Sequence, residues 1–102
     1  MTKKESKELT IEVWTYIAEH PEITKKSELP EELYSKIKDL FGHCPLCELF
    51  LEPGCTGCPL GAAGHCCASH DSYYDRWAWA KTKKKRSAAA WGIVNITKEW
   101  KI

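Results

Sequence analysis

All six cysteines of this chain lie between Cys44 and Cys67, in the run HCPLCELFLEPGCTGCPLGAAGHCC. Cys44 and Cys47 form one C-x-x-C pair, Cys55 and Cys58 a second, and Cys66 and Cys67 follow after a short loop. A C-x-x-C turn brings two thiolates to one side of the backbone. Two such turns supply the four soft ligands of a tetrahedral zinc, with Zn–S about 2.3 Å. Cys44-Pro45-Leu46 is echoed by Cys58-Pro59-Leu60, each proline fixing φ directly after a cysteine, so two similar knuckle-like turns are expected. Only seven residues separate Cys47 from Cys55, whereas a four-cysteine ribbon places roughly 15–20 between its pairs. Either both pairs share one ion, or Cys66 or Cys67 replaces one of the four. His43 and His65, each beside a cysteine, are further potential ligands. The expected set is Cys44, Cys47, Cys58 and one of Cys55 or Cys66, holding zinc; an iron–sulfur cluster is the alternative, since four cysteines also hold clusters.

Other chemistries for these cysteines fit less well. Six cysteines in a short chain could form a disulfide framework. The N-terminal MTKKESKELT is charged and has no apolar core of a secretory signal, so a reducing cytosol is expected. One of Cys66 and Cys67 is expected to be a small buried apolar residue. A zinc deaminase carries H-x-E and then P-C-x-x-C; here His20-Pro21-Glu22 ends a helix, and Pro53 stands one position too early before Cys55. A thioredoxin-like site needs a βαβ setting, and no strand pattern supplies one. No catalytic residue is predicted, and the metal is expected to be structural.

A second constellation lies near the C-terminus. Five of the six residues from Lys81 to Arg86 are basic (Lys81, Lys83, Lys84, Lys85, Arg86), flanked by Trp77, Trp79 and Trp91. Cations that neutralise phosphates, interleaved with rings that stack on bases, suit nucleic acid. The plainer account is a solvated helix face, with the aromatics serving as core. Five tryptophans in so short a chain also allow an exposed apolar patch for a protein partner, although Trp14, Trp77 and Trp91 are expected to pack helices together. The net charge is only +1, so no global field draws the chain to nucleic acid.

The elements that must position these residues read as helices. The chain has 102 residues, 43% hydrophobic and 28% charged, which suits one globular domain with a modest core. No apolar run approaches membrane-span length. Thr2 and Glu5 have capping-box spacing; Leu9, Val13, Trp14 and Ile17 form a stripe, and His20-Pro21 ends a helix over residues 1–20. A second helix is expected from Ser27, its N-cap, to Phe41. Pro30 sits in its first turn, Leu33, Ile37, Leu40 and Phe41 lie on one face, and Gly42 follows its end. These two are expected to form an antiparallel hairpin. Residues 48–51 read as a short helical turn or strand. A third helix starts near Ser72, capped by Ser69 or Asp71, with Tyr73, Tyr74, Trp77 and Ala80 inward. Whether residues 72–100 form one helix or two is open, and Gly92 weakens the second half.

The series Cys44-Pro-Leu-Cys47, Cys55-x-x-Cys58-Pro-Leu, Cys66 and Ser72-Tyr-Tyr-Asp-Arg-Trp77 resembles a pattern in small bacterial and phage-encoded cysteine-rich proteins. The likeness covers about the central third of the chain. It implies that Cys44, Cys47, Cys55, Cys58 and Cys66 are the recurring set, with Cys67 additional. The expected architecture is mainly α: a helical hairpin (1–42), a cysteine-rich zinc loop (43–70) and an aromatic, basic helical segment (71–102) in one domain. The expected role is a cytoplasmic binding or adaptor module contacting nucleic acid or protein through Trp79, Lys81, Lys83, Lys84, Lys85 and Arg86. A thiol-redox or iron–sulfur protein is the alternative.

Overall fold

The computed structural model describes residues 2–40, 44–50, 58–65 and 71–101, apart from the Cys47 side chain. The described residues are mainly helical and contain no strand. Helix α1 spans Lys3–Glu19. It begins with a complete capping box: the Thr2 hydroxyl accepts from Glu5 N–H at 3.1 Å, and the Glu5 carboxylate accepts from Thr2 N–H at 3.0 Å. The Thr2 backbone N–H, with its hydroxyl second, holds the Glu5 carboxyl below its ordinary value. That depressed folded-state pKa supports the helix end above the usual carboxylate range and is lost as pH falls through it. His20 caps the other end, its Nδ1–H donating to the Tyr16 carbonyl at 2.9 Å while its ring stacks on Tyr16.

The expected second helix is broken. A 3-10 turn covers Lys26–Glu28, and α2 is the four-residue Glu31–Tyr34, followed by turns through residue 39. The cause is Pro30. A proline pushes the preceding residue out of the α region, and Leu29 accordingly sits at φ −63°, ψ 156°. Pro30 is therefore the residue before α2, not part of a first turn begun by Ser27. Leu33 and Ile37 are still buried, because turns with i→i−3 and i→i−4 bonds bring the same residues inward. Phe41 and Gly42 lie outside the described residues.

Helix α1 does not find its main partner in this segment. It packs along α6, Lys83–Glu99, the other 17-residue helix. Contacts at both ends make the pair antiparallel. Lys7 Nζ donates to the Trp100 carbonyl at 2.6 Å, and Ser87 Oγ donates to the Ala18 carbonyl at 2.8 Å. Arg86 donates to the Pro21 carbonyl. Small residues let the helices approach: Ser6, Thr10 and Ala18 on α1, and Ala89, Ala90 and Thr97 on α6, are all buried. The hairpin expected from α1 and its sequence neighbour is thus replaced by a pair formed from opposite ends of the chain.

Helix α5, Tyr73–Trp79, is capped by the Ser72 hydroxyl, which accepts from Asp75 N–H at 3.0 Å. Asp71 does not cap it; its φ is +56°, in the left-handed region that Asp and Asn tolerate better than most residues. Thr82 caps α6 by accepting from Lys85 N–H, so residues 72–100 form two helices with a break at 80–82. Trp77 is buried edge-on against Trp14, with centroids 5.1 Å apart, and Tyr74 completes the group at 5.7 Å from Trp14. Lys26, also buried, places Nζ over the rings of Trp14 and Tyr74 at 5.5 and 5.0 Å. One cluster of buried apolar residues joins all these elements to α3, Pro45–Leu49, and α4, Pro59–Ala62.

Gly92 has a packing reason. A Cβ there would meet three ring atoms of Tyr73 at 2.7–2.8 Å, closer than carbon atoms pack. Helix propensity alone favours Gly92→Ala by about 1 kcal/mol. Overpacking costs about 1–3 kcal/mol, so the substitution is expected to lower Tm. Urea unfolding checks this: a stabilised Gly92→Ala variant would contradict the α5–α6 packing.

Candidate functional site

Cys44 and Cys58 occupy equivalent places. Each is the N-cap of a short helix with an extended backbone (φ −133°, ψ 117° and φ −79°, ψ 136°). Each is followed by proline at the first helical position, where its missing N–H costs nothing, and then by a buried leucine, Leu46 or Leu60. Both cysteines are buried. The Cys-Pro-Leu echo is a repeat of helix starts. It aligns Cys44 with Cys58 and not one C-x-x-C pair with the other. In α3, Cys47 stands one turn after Cys44; the matching position in α4 is Gly61. Residues 48–51 read as a short helical turn or strand; a helix in fact starts at Pro45, takes in Cys47 and ends at Leu49.

Cys55, Cys66, Cys67 and His43 lie outside the described residues, as does the Cys47 side chain. Among the described residues, no three or more potential ligands come together. Cys44 and Cys58, two buried thiols, begin two short helices that the core holds in place. α3 rests on α1, and α4 rests on α6. His65 is committed elsewhere: its Nδ1 accepts from the Tyr73 backbone N–H at 3.1 Å and its ring stacks on Tyr73 at 4.0 Å. An Nδ1 acceptor puts the neutral ring's proton on Nε2, which leaves no lone pair for a metal. His65 instead ties the end of the cysteine-rich segment to α5.

The basic run is divided by the fold. Lys83, Lys84 and Lys85 are exposed in the first turn of α6, and Lys81 is exposed just before it. Arg86 is half-buried and holds the Pro21 carbonyl; it serves the α1–α6 packing. That first turn carries no acidic residue, so the lysines oppose the positive end of the helix dipole. Trp79 is 78% exposed, whereas Trp77 is buried. Trp91, expected to pack between helices, is 37% exposed.

Trp79, Lys81 and Lys85 share an open groove of about 670 Å³ between α5 and α6, floored by Ala88 and Ala89. Sequence reasoning missed its other charged residues, Asp71, Asp75 and Arg76. Arg76 Nε lies 3.4 Å from Asp71, both side chains more than half exposed, and its guanidinium lies 5.4 Å from the Tyr73 centroid. The spacing of Arg76 from Trp79 and Ala80 was readable as one helix face, but the return of α6 beside it was not. The burial of Lys26 had no sequence signal, since a lysine beside Lys25 in a polar loop reads as solvated. Among the described residues, no helix is long and apolar enough to cross a membrane.

No protein-family model, curated protein or solved structure matches the chain.

Proposed function

We propose that the protein is a small zinc-stapled binding module that contacts nucleic acid through the exposed side of α5 and α6. The observation that carries this reading is that Lys81, Lys83, Lys84 and Lys85 are all exposed, with Lys81 and Lys85 lining one groove with the exposed Trp79. Lysines in the first turn of a helix weaken it. A chain with a net charge of +1 gains nothing in general solubility from grouping its cations there. Departures from local stability rules gather at functional surfaces. The cysteines have the structural role: Cys44, Cys47, Cys58 and one of Cys55 or Cys66 hold the ion, and their thiolates require a reducing compartment. Zinc would supply a closed four-coordinate link between helix starts. A protein recognised through Trp79 and Trp91 would bind with little salt dependence, which separates that reading.

The test is a salt titration of binding to labelled oligonucleotides. Log affinity should fall linearly with log salt, by about 0.7 to 0.9 per phosphate contact. Changing Lys83, Lys84 and Lys85 together to Gln should weaken binding at least about tenfold and flatten that slope by about 2. The same change should raise Tm, because it removes three cations from the positive helix end. Weaker binding by a more stable protein cannot be ascribed to unfolding. Unchanged affinity would remove the nucleic-acid reading.

A further inference from the structure

We infer that the α5–α6 groove is a subsite for one nucleotide of a single strand, with the base stacked on Trp79 and its phosphate held by Lys81 and Lys85. This rests on the nucleic-acid reading above and says which form of nucleic acid the surface takes. Three observations carry it. The Trp79 ring is 78% exposed at the lip of a cleft, where a flat apolar ligand can cover it. The cleft, at about 670 Å³, falls within the roughly 300–1,000 Å³ of clefts that enclose a small molecule. A duplex presents a convex backbone whose bases are already stacked, so it can offer phosphates to the lysines but no free base to the ring. The cations flanking the ring complete the match: Lys81 and Lys85 line the same cleft, and Lys83 and Lys84 stand outside it to meet adjoining phosphates.

The acidic residues of the groove refine the site. Arg76 and Asp71 are paired at 3.4 Å with side chains 51% and 71% exposed, and such pairs hold weakly. An incoming phosphate can take over Arg76, leaving Asp71 as a like charge beside it. Asp71→Asn removes that repulsion without disturbing the backbone, because Asn accepts the φ of +56° as readily as Asp.

The experiment is fluorescence anisotropy with the full chain, a labelled 15-nucleotide oligothymidylate and a labelled duplex of equal length. Expected results are tighter binding to the single strand and a loss of about 5- to 140-fold for Trp79→Ala, the usual range for one base stack. Trp79→Phe should recover most of the loss, Asp71→Asn should tighten binding severalfold at low salt, and duplex affinity should ignore Trp79→Ala. Equal binding of single strand and duplex, or a Trp79→Ala variant that binds like the parent, overturns the subsite. If the lysine triple change still weakens binding in that case, the wider nucleic-acid reading stands without it. If neither oligonucleotide binds, both fall together.

Discussion

Trp14→Ala is expected to lower Tm by roughly 15–30 °C, the largest effect of any single aromatic substitution in this protein. Trp14 is 2% exposed and is the point where three segments meet: α1, which carries it, α5 through Tyr74 and Trp77, and the 3-10 turn through Lys26. Removing a buried tryptophan costs about 3–5 kcal/mol, from lost transfer energy and the cavity left behind. A domain of this size has about 5–15 kcal/mol in all. The loss has a second component. Lys26 is buried with its ammonium over Trp14 and Tyr74, and a desolvated cation over a ring gains about 2 kcal/mol. Trp14→Phe keeps a ring under that charge and should lose less than half as much. Urea unfolding of both variants checks the account. A Trp14→Ala loss under about 1 kcal/mol would mean that the aromatic group is not the centre of the core.

Much of this architecture is legible locally. The Thr2–Glu5 box, the Val13, Trp14 and Ile17 stripe, and the stop at His20-Pro21 all involve neighbours within one or two turns. Trp77 inward and Trp79 outward also follow from helical period, since residues two apart face opposite ways. What failed was of two kinds. Over residues 27–41 periodicity suggests one helix that proline chemistry breaks: Leu33 and Ile37 face inward in broken turns as well as in a helix, and Leu29 before Pro30 implies the break. The pairing of α1 with α6 fails for a different reason. No short loop joins them, and the small buried residues that fit them together, Ser6 and Thr10 among them, read as polar surface in a sequence. Lys26 and Arg86 illustrate the same limit. Each looks like a solvated cation, but one is enclosed by rings and the other holds the Pro21 carbonyl. At the cysteines, types and spacing suggest a metal, and the described residues Cys44 and Cys58 share their place at helix starts. The Cys-Pro-Leu echo was legible too, but its meaning as paired helix starts needed the backbone.

On the zinc-stapled reading proposed above, removing the metal is expected to unfold the protein outright. Structural zinc in small domains contributes an apparent 10–16 kcal/mol or so at neutral pH, as much as or more than the total stability of a domain this size. The fold makes that dependence concrete. α3 and α4 have only five and four residues, far below the length at which a helix holds by itself, and neither has a side-chain cap at its N-terminus. Cys44 and Cys58 stand where those caps would be. A strong chelator should therefore abolish far-UV helical signal in parallel with release of about one zinc per chain, and acid should do the same, because protons compete for the thiolates. Cys44→Ser and Cys58→Ser should each reproduce the apo state, whereas Cys67→Ser should leave metal content intact. If these cysteines were merely buried apolar residues, Cys44→Ser would cost only about 1–3 kcal/mol for burying a more polar hydroxyl, and chelator would change nothing. A brown protein with iron in place of zinc would keep the staple but move the functional centre to the cysteines. The unfolding experiment and the visible spectrum together decide between these outcomes, because any colourless protein leaves the α5–α6 face as the working surface.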